Sequence, residues 1–273
     1  MNFQKKLDKI IKKNNSLVCV GLDSEYEKIP ERFNPASLKL RRARNPQFEF
    51  NKWIIDQTHD LVCAYKPNSA FYEGVGIDGI KALKQTCDYI RLTHPEICII
   101  LDAKRGDIGN TNKGYVKFAF DYLGADAITV MPYMGIEALQ AFLARKEKGI
   151  IIGCRSSNPG AKEFQDLVVA GTPLYLRITQ DVVTKWNKNK NCLLFVGATY
   201  PQEMSKIRKI VGDLTLLTPG INVQGGDVEK IVKAGLNSKK TGLIVNSSRG
   251  IIFSEDPRKE TKKLRDEIHR YRK

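Results

Sequence analysis

The chain has 273 residues, of which 42% are hydrophobic, and both values are typical of a soluble globular protein. No apolar run approaches the ~20 residues that a membrane span needs, and the polar, lysine-rich residues 1–15 do not resemble a signal peptide. The 45 basic and 30 acidic residues give a net charge of +15, which favours an anionic substrate. We therefore expect a cytoplasmic protein without a membrane partner.

The net charge by itself could also indicate nucleic-acid binding. However, the basic residues are scattered, and their runs lie in loop-like or terminal segments at 39–44, 185–190 and 258–273. No aromatic residues alternate with a basic face, as they do in proteins that bind single strands. A solvated basic surface explains the charge better, and we expect no nucleic-acid partner.

The cysteines do not form a metal or disulfide pattern. No two of them make a Cys-x-x-Cys pair, only three histidines are present, and most of the cysteines lie in apolar, strand-like runs. We interpret them as small, buried apolar residues. They are Cys19, Cys63, Cys87, Cys98, Cys154 and Cys192.

Apolar, strand-like runs alternate with helical patterns along the whole chain, after an amphipathic helix at 3–13. The predicted strands are 17–22, 61–65, 97–101, 125–130, 149–154, 192–197, 214–218 and 242–246. The helices that follow them are predicted from Pro46 onward and at 78–93, 111–123, 135–146, 174–187, 201–211, 227–235 and 257–271.

Eight strand–helix units in about 250 residues fit a (β/α)₈ TIM barrel, because strands that alternate with helices pair in parallel. A doubly wound open sheet is the alternative. It usually has fewer strands, and no Gly-x-Gly-x-x-Gly motif follows the first strand. We expect a single barrel domain over residues 1–273, with a basic, irregular insertion at about 24–45 that contains a short helix.

Charged residues follow the first three predicted strands. These residues are Asp23, Lys66, Asp102 and Lys104, and the last two project to the same side of the third strand. By itself, an Asp-x-Lys pair is also typical of a structural ion pair. In a barrel, however, the active site forms at the carboxyl ends of the strands. An alternating Lys-Asp-Lys-Asp array holds a carboxylate beside an ammonium proton donor, and no adjoining third acidic residue points to a metal ion.

The loops after the seventh and eighth strands have the character of a phosphate site. Gly220, Gly225 and Gly226 allow close approach of the backbone, and Asp227 can cap the helix that follows. Arg249 offers a bidentate fork to a phosphate group. A glycine-rich turn beside a surface arginine is the structural alternative, but phosphate is commonly bound at this position in such barrels.

Six motifs in chain order resemble those of the orotidine 5′-phosphate decarboxylase family. Their amino-acid sequences are similar to those of its longer, second bacterial subfamily. The central motif is Asp-Ala-Lys-Arg-Gly-Asp-Ile-Gly-Asn-Thr at 102–111. The other five are Asp23, Ala-Tyr-Lys-Pro-Asn with Lys66, Ser-Asn-Pro-Gly with Ser157, Gln-Gly-Gly-Asp with Gln224, and Arg249. They span nearly the whole chain, but none of them places the long, basic segment 24–50 against the family core.

The resemblance implies an enzyme that decarboxylates orotidine 5′-phosphate to uridine 5′-phosphate, the last step of UMP biosynthesis, without a metal or cofactor. It implies that Lys104 protonates C6, that Asp102 lies against the substrate carboxylate, and that Lys66 holds Asp102 and reaches the ribose. The implied substrate-binding residues are Asp23 for the ribose, Ser157 for the pyrimidine, and Gln224, Gly225 and Arg249 for the phosphate, with backbone amides near Ser248 or Gly250.

The resemblance also implies a homodimer with shared active sites, in which Asp107 and Thr111 act in the site of the partner subunit. The loop after the seventh strand is the candidate lid, and a complex with orotate phosphoribosyltransferase, the preceding enzyme, is left open. The nearest alternative is a magnesium-dependent sugar-phosphate decarboxylase or aldolase of the same suprafamily. Such enzymes usually place an acidic metal ligand where Lys66 stands, so Lys66 and Ser157 argue against this alternative.

Overall fold

The computed structural model describes residues 1–34, 44–220 and 227–272. In this part of the chain, eight parallel strands form a closed barrel in which each strand pairs with its neighbours in sequence and the last pairs with the first. The predicted TIM barrel is confirmed. The strands are β1 (Val18–Leu22), β2 (Ala64–Pro67), β3 (Cys98–Arg105), β4 (Ala127–Val130), β5 (Gly149–Arg155), β6 (Cys192–Val196), β7 (Leu216–Pro219) and β8 (Leu243–Ser247).

Helices connect the strands and cover the outside of the barrel, and none in the described ranges is long and apolar enough to cross a membrane. They are α1 (Phe3–Asn14), α2 (Pro46–Thr58), α3 (Ala70–Glu73), α4 (Ile77–Thr93), α5 (Gly109–Val116), α6 (Gly135–Leu143), α7 (Ala161–Gln165), α8 (Leu174–Asp181), α9 (Pro201–Val211), α10 (Val228–Gly235), α11 (Arg249–Ile252) and α12 (Pro257–Arg270). The π-helical segments Lys117–Tyr122 and Val182–Trp186 prolong α5 and α8.

Local sequence explains where α2 begins. The Asn45 side chain accepts hydrogen bonds from the N–H groups of Gln47 and Phe48, and Pro46 occupies the first helical position. The strands are buried on both faces, since side chains fill the barrel inside and helices pack outside. All six cysteines are free and buried, as predicted.

The second strand lies about three residues later than predicted. Leu61 belongs to a 3₁₀ turn, and β2 starts at Ala64. Side chains that precede β1 explain the difference, because they bond the carbonyl groups that a strand would otherwise use. The Ser16 hydroxyl donates to the Leu61 carbonyl at 2.6 Å, and the Asn14 amide donates to the carbonyls of His59 and Val62.

The third strand is longer than predicted. We expected it to end at Leu101, but pairing with β4 resumes beyond the charged residues and extends the strand to Arg105. The Met131 N–H donates to the Arg105 carbonyl at 2.7 Å and continues this contact past the end of β4. Asp102 and Lys104 therefore lie within the length of β3, in the stretch between the two parts of the strand that pair with β4.

The predicted basic insertion lies partly outside the described residues, because 35–43 are not described. The part before this gap forms two 3₁₀ turns, Tyr26–Lys28 and Glu31–Phe33. The Arg32 guanidinium lies 4.3 Å from the ring centroid of Trp53 in α2. A cation–π contact thus joins this irregular segment to the outer face of the barrel.

Candidate active site

A cleft of about 270 Å³ opens at the carboxyl ends of the barrel strands. A larger cleft, of about 790 Å³, lies at the opposite end beside α1 and the starts of β6, β7 and β8. The charged residues of the first three strands converge only on the smaller cleft, which is also where barrel enzymes place their chemistry. Its described lining is Asp23, Lys66, Asp102, Lys104, Ser156, Ser157, Asn158, Phe195, Pro219, Gly220, Asn246, Ser247, Ser248 and Arg249.

The floor of the cleft is the charged array predicted from the strand ends. Lys66 Nζ donates to Asp102 Oδ2 at 2.8 Å, and Lys104 Nζ donates to Asp102 Oδ1 at 2.7 Å. Lys66 also lies 3.9 Å from Asp23 Oδ1. Asp102 and Lys66 are 5% and 2% exposed, whereas the Lys104 side chain is 46% exposed. Lys104 is therefore the member of the array that a bound molecule can reach most easily.

The array fixes the protonation states of its buried members. Burial disfavours the charged form of Asp102, but the ammonium groups of Lys66 and Lys104 hold the pKa of Asp102 well below its usual range. Burial also opposes the charge of Lys66, while Asp102 and Asp23 raise the pKa of Lys66 above its ordinary value. The cleft thus presents a permanent carboxylate between two lysines.

One side of the cleft is built by the segment after β5. The Ser156 N–H donates to Gln165 Oε1 at 2.8 Å, and the Gln165 amide donates back to the Ser156 hydroxyl at 2.8 Å. Ser157 packs against Gly197, where an added Cβ would come within 2.8 Å of the serine backbone nitrogen. A side chain at position 197 would therefore displace Ser157 from the cleft.

The opposite side of the cleft carries Gly220 and Arg249. Gly220 has a φ of 92°, which favours glycine, and Arg249 is exposed at the start of the short helix α11. Ser248 packs so closely on Gly21 of β1 that an added Cβ at Gly21 would lie 1.9 Å from its hydroxyl. The predicted phosphate ligands Gln224 and Gly225, and most of the candidate lid, lie outside the described residues.

Comparison with known proteins identifies the relationship. The family model of orotidine 5′-phosphate decarboxylase/HUMPS proteins matches residues 16–264. The chain belongs to this family. The orotidine 5′-phosphate decarboxylase of Cellvibrio japonicus is 46% identical over 256 residues, which cover 94% of this chain and 91% of that protein. The orotidine 5′-phosphate decarboxylase of Cupriavidus taiwanensis is 43% identical over 279 residues, covering 100% and 99%.

Solved structures give the same relationship to this decarboxylase family. Leishmania donovani OMP decarboxylase matches with a TM-score of 0.86 and 36% identity, covering 100% of this chain and 99% of that chain. Leishmania donovani UMP synthase matches with a TM-score of 0.89 and 37% identity, but this chain spans only 57% of its length. The predicted family and the prediction of a decarboxylating enzyme are both confirmed.

Two further site residues were predicted for this chain from its resemblance to the decarboxylase family. These are Asp107 and Thr111, and they do not line the cleft of their own chain. Asp107 follows β3 and is half-buried, and its Oδ1 accepts a hydrogen bond from the Ile108 N–H at 2.7 Å. Thr111 is exposed on α5. Of the predicted site residues that the structure describes, the other six come together in one cleft.

Two residues around the decarboxylase cleft were not predicted from the sequence. Thr129 of β4 donates a hydrogen bond to Asp102 at 2.8 Å, and Arg155, at the end of β5, pairs with Asp166 at 3.0 Å below the serine segment. A polar residue inside the apolar run Ala-Ile-Thr-Val was the available signal for Thr129. For Arg155, the signal was a charge at the end of an otherwise apolar strand.

Metal-binding donors do not cluster in the ranges that the structure describes. Across residues 1–34, 44–220 and 227–272, no three His, Cys, Asp or Glu side chains are arranged to hold an ion. In the cleft, Asp23 and Asp102 flank Lys66, whose ammonium occupies the position between the two carboxylates. This donor set does not fit a divalent cation at the centre of the array.

We expect Asp102→Asn to lower the free energy of unfolding by about 3–5 kcal/mol at pH 7, because Lys66 would remain buried without its nearest carboxylate. The folded-state pKa of Asp102 is depressed, so its contribution to stability is complete above the ordinary aspartate pKa of about 3.9. This contribution is lost as the pH falls through the folded-state value. The difference between wild type and variant should therefore shrink below about pH 4 in denaturant titrations.

The matched control for this stability measurement is Asp60→Asn, which breaks an ion pair with Arg258 at 2.7 Å on the surface. Both side chains of that pair are nearly half exposed, so the substitution should change stability by no more than about 1 kcal/mol. If Asp102→Asn had an equally small effect at pH 7, Asp102 would not be the charge that compensates Lys66.

Proposed function

We propose that the protein decarboxylates orotidine 5′-phosphate to uridine 5′-phosphate without a metal or cofactor, using Lys104 as the proton donor. One observation carries the proposal. On the cleft floor, the buried carboxylate of Asp102 accepts hydrogen bonds from Lys104 at 2.7 Å and from Lys66 at 2.8 Å. The relatives named orotidine 5′-phosphate decarboxylase support the substrate. A cytoplasmic location, where nucleotide biosynthesis takes place, is part of the same proposal.

In the proposed reaction, the bond between C6 and the substrate carboxylate breaks and its electron pair stays on C6. Carbon dioxide leaves, and an N–H proton of the Lys104 ammonium moves to C6, so that the lysine becomes a neutral amine. The electron pair on C6 lies in the ring plane and gains no π delocalisation, so its stabilisation must come from preorganised charges. The Lys104 ammonium supplies a positive charge at this position.

The roles of Asp102 and Lys66 follow from their fixed charges. The Asp102 carboxylate would lie against the substrate carboxylate and disfavour the ground state relative to the transition state. Lys66 keeps Asp102 in place and is near enough to Asp23 for both to bind the ribose. Asp23 Oδ1 is buried without a hydrogen-bond partner among the described residues, and a ribose hydroxyl would satisfy it.

The remaining contacts divide between the two sides of the cleft. We assign the pyrimidine edge to Ser157 and the phosphate to Arg249, Gln224 and Gly225, with backbone amides near Ser248. An arginine fork and nearby amides suit a phosphate dianion. Binding energy from this remote phosphate would drive closure of the loop after β7, which we propose as the lid.

We further propose a homodimer in which Asp107 and Thr111 of one subunit complete the active site of the other. Both residues lie outside the cleft of their own chain, at a surface rich in apolar side chains. Ile108, Tyr133 and Met134 are 54%, 88% and 48% exposed there, and exposed apolar patches mark protein contacts. A complex with orotate phosphoribosyltransferase is a separate proposal, which follows from the place of the proposed reaction directly after that enzyme.

We expect the protein to decarboxylate orotidine 5′-phosphate at its full rate in excess EDTA, since the Lys66 ammonium lies between the carboxylates of Asp23 and Asp102, where a metal ion would have to bind. The decrease in substrate absorbance measures turnover directly. The same assay on a metal-supplemented sample is the control, and it should give an equal rate. Loss of turnover on chelation, restored by added Mg²⁺, would overturn the metal-independent reaction and favour a magnesium-dependent relative.

A further inference from the structure

The residues that carry the catalytic charges stand opposite a single residue of the neighbouring strand. The register between β3 and β4 shifts between Leu101 and Arg105, so that residues 102–104 face Thr129 alone. Lys104 has a φ of 47°, in the left-handed region that favours glycine and strains other residues. On the β2 side, Asp102 forms a bridge with Asn68, and its carbonyl accepts a hydrogen bond from the Ser69 N–H at 3.2 Å. On the β4 side, ladder pairing is interrupted over residues 102–104, so another interaction must hold the bulge there.

The Thr129 hydroxyl provides that interaction. It accepts hydrogen bonds from the N–H groups of Ala103 at 3.0 Å and Lys104 at 2.9 Å, and it lies 2.8 Å from Asp102 Oδ1. A hydroxyl has two acceptor lone pairs and one proton. Since the two amides occupy both lone pairs, the proton must be donated to Asp102. The direction of every hydrogen bond at this buried oxygen is thereby determined.

One oxygen atom therefore connects the backbone that presents Lys104 to the carboxylate that Lys104 contacts. Asp102 Oδ1 accepts from Thr129 and from Lys104 Nζ, while Oδ2 accepts from Lys66. The three donors fix the plane of the carboxylate as well as its position. The Thr129 hydroxyl does not line the cleft, so it acts on the reacting groups through Asp102 and Lys104.

We propose that Thr129 is a positioning residue, which holds the β3 bulge so that Asp102 and Lys104 meet the substrate in the geometry needed for proton transfer. The proposal rests on the proposed function, because that function assigns the proton transfer to Lys104. Displacement of a reacting group by about 1 Å can lower a rate by 10²-fold. Thr129 should therefore affect turnover far more than substrate binding, which depends mainly on contacts made elsewhere in the cleft.

The test compares Thr129→Val, which keeps the branched shape but removes the hydroxyl, with Thr129→Ser, which keeps the hydroxyl. We expect the valine variant to lose about 10- to 100-fold in kcat with little change in KM, and the serine variant to recover most of that loss. Hydrogen exchange gives a readout independent of activity, and the amides of Ala103 and Lys104 should lose protection in the valine variant only. Thr215→Val, which removes another buried hydroxyl at the opposite end of the barrel, is the control and should retain wild-type kcat.

The outcomes separate this proposal from the proposed function. If wild type decarboxylates orotidine 5′-phosphate but Thr129→Val keeps its kcat, the positioning role is wrong and the function stands. Equal losses in the valine and serine variants would also overturn the role of the hydroxyl. If thermal unfolding shows that Thr129→Val is not folded, the serine variant and its exchange protection decide the question. An inactive wild type overturns both proposals.

Discussion

Lys104→Ala is expected to lower kcat by at least about 10³-fold, because it removes the proposed proton donor and the positive charge that we propose lies beside C6. Lys104 is the half-exposed member of the array, and Asp102 keeps its second lysine, Lys66, at 2.8 Å. The fold should therefore survive the substitution. The steady-state rate with orotidine 5′-phosphate measures the effect, and circular dichroism verifies the fold.

Lys104→Arg refines this experiment, because arginine keeps a positive charge but does not give up a proton near neutral pH. We expect the arginine variant to remain severely impaired, which would separate proton donation from electrostatics. Lys52→Ala is the matched control, since Lys52 has similar exposure and pairs with Asp56 at 2.9 Å on α2, outside the cleft. Turnover near the wild-type level in Lys104→Ala would show that another group supplies the proton.

Asp107→Ala is expected to lower turnover by about 10²-fold or more, and mixing it with Lys104→Ala is expected to restore activity. If Asp107 acts across the dimer, a mixed dimer has one site with both changes and one site with neither. Random exchange makes half of the dimers mixed, and each has one intact site of two, so activity should recover to about a quarter of wild type.

A double variant provides the control for the mixing experiment. Lys104→Ala mixed with the Lys104→Ala, Asp107→Ala double variant leaves no intact site in any dimer, and the mixture should stay inactive. Subunit exchange can be followed by mass spectrometry of differently labelled chains. Continued inactivity of the first mixture, in spite of complete exchange, would show that Asp107 acts within its own subunit or that the loss is structural.

Periodicity was sufficient to predict the barrel, because every strand in a parallel barrel is buried on both faces and is therefore an uninterrupted apolar run. The boundary errors have local causes. Side chains before β1 bond the carbonyls around Leu61, so β2 starts later than its apolar run. The small hairpin formed by Val168–Val169 and Thr172–Pro173 was missed, since strands of two residues give no periodic signal.

The charged array was predictable because alternation along a strand places Asp102 and Lys104 on one side, and barrel topology adds Lys66 and Asp23. A polar residue in an apolar run marks Thr129 in the sequence, but its contacts with Asp102, Ala103 and Lys104 were not predictable. These contacts depend on the register shift between β3 and β4 and on the left-handed backbone conformation of Lys104. Neither feature can be recognised in the amino-acid sequence of β3. Contacts that a bulge creates are visible only in the three-dimensional structure.

In the proposed function, the residues that carry out the chemistry and most of those that recognise the substrate lie on different parts of the fold. Lys66, Asp102 and Lys104 are strand residues in the rigid wall of the barrel, whereas Ser157 and Arg249 lie just beyond strand ends. Loops tolerate substitution and insertion better than strands do. Exchange of the segments after β5, β7 and β8 would therefore retarget the scaffold to other anionic compounds, while the same electrostatic centre continued to act on whatever carboxylate was delivered to it.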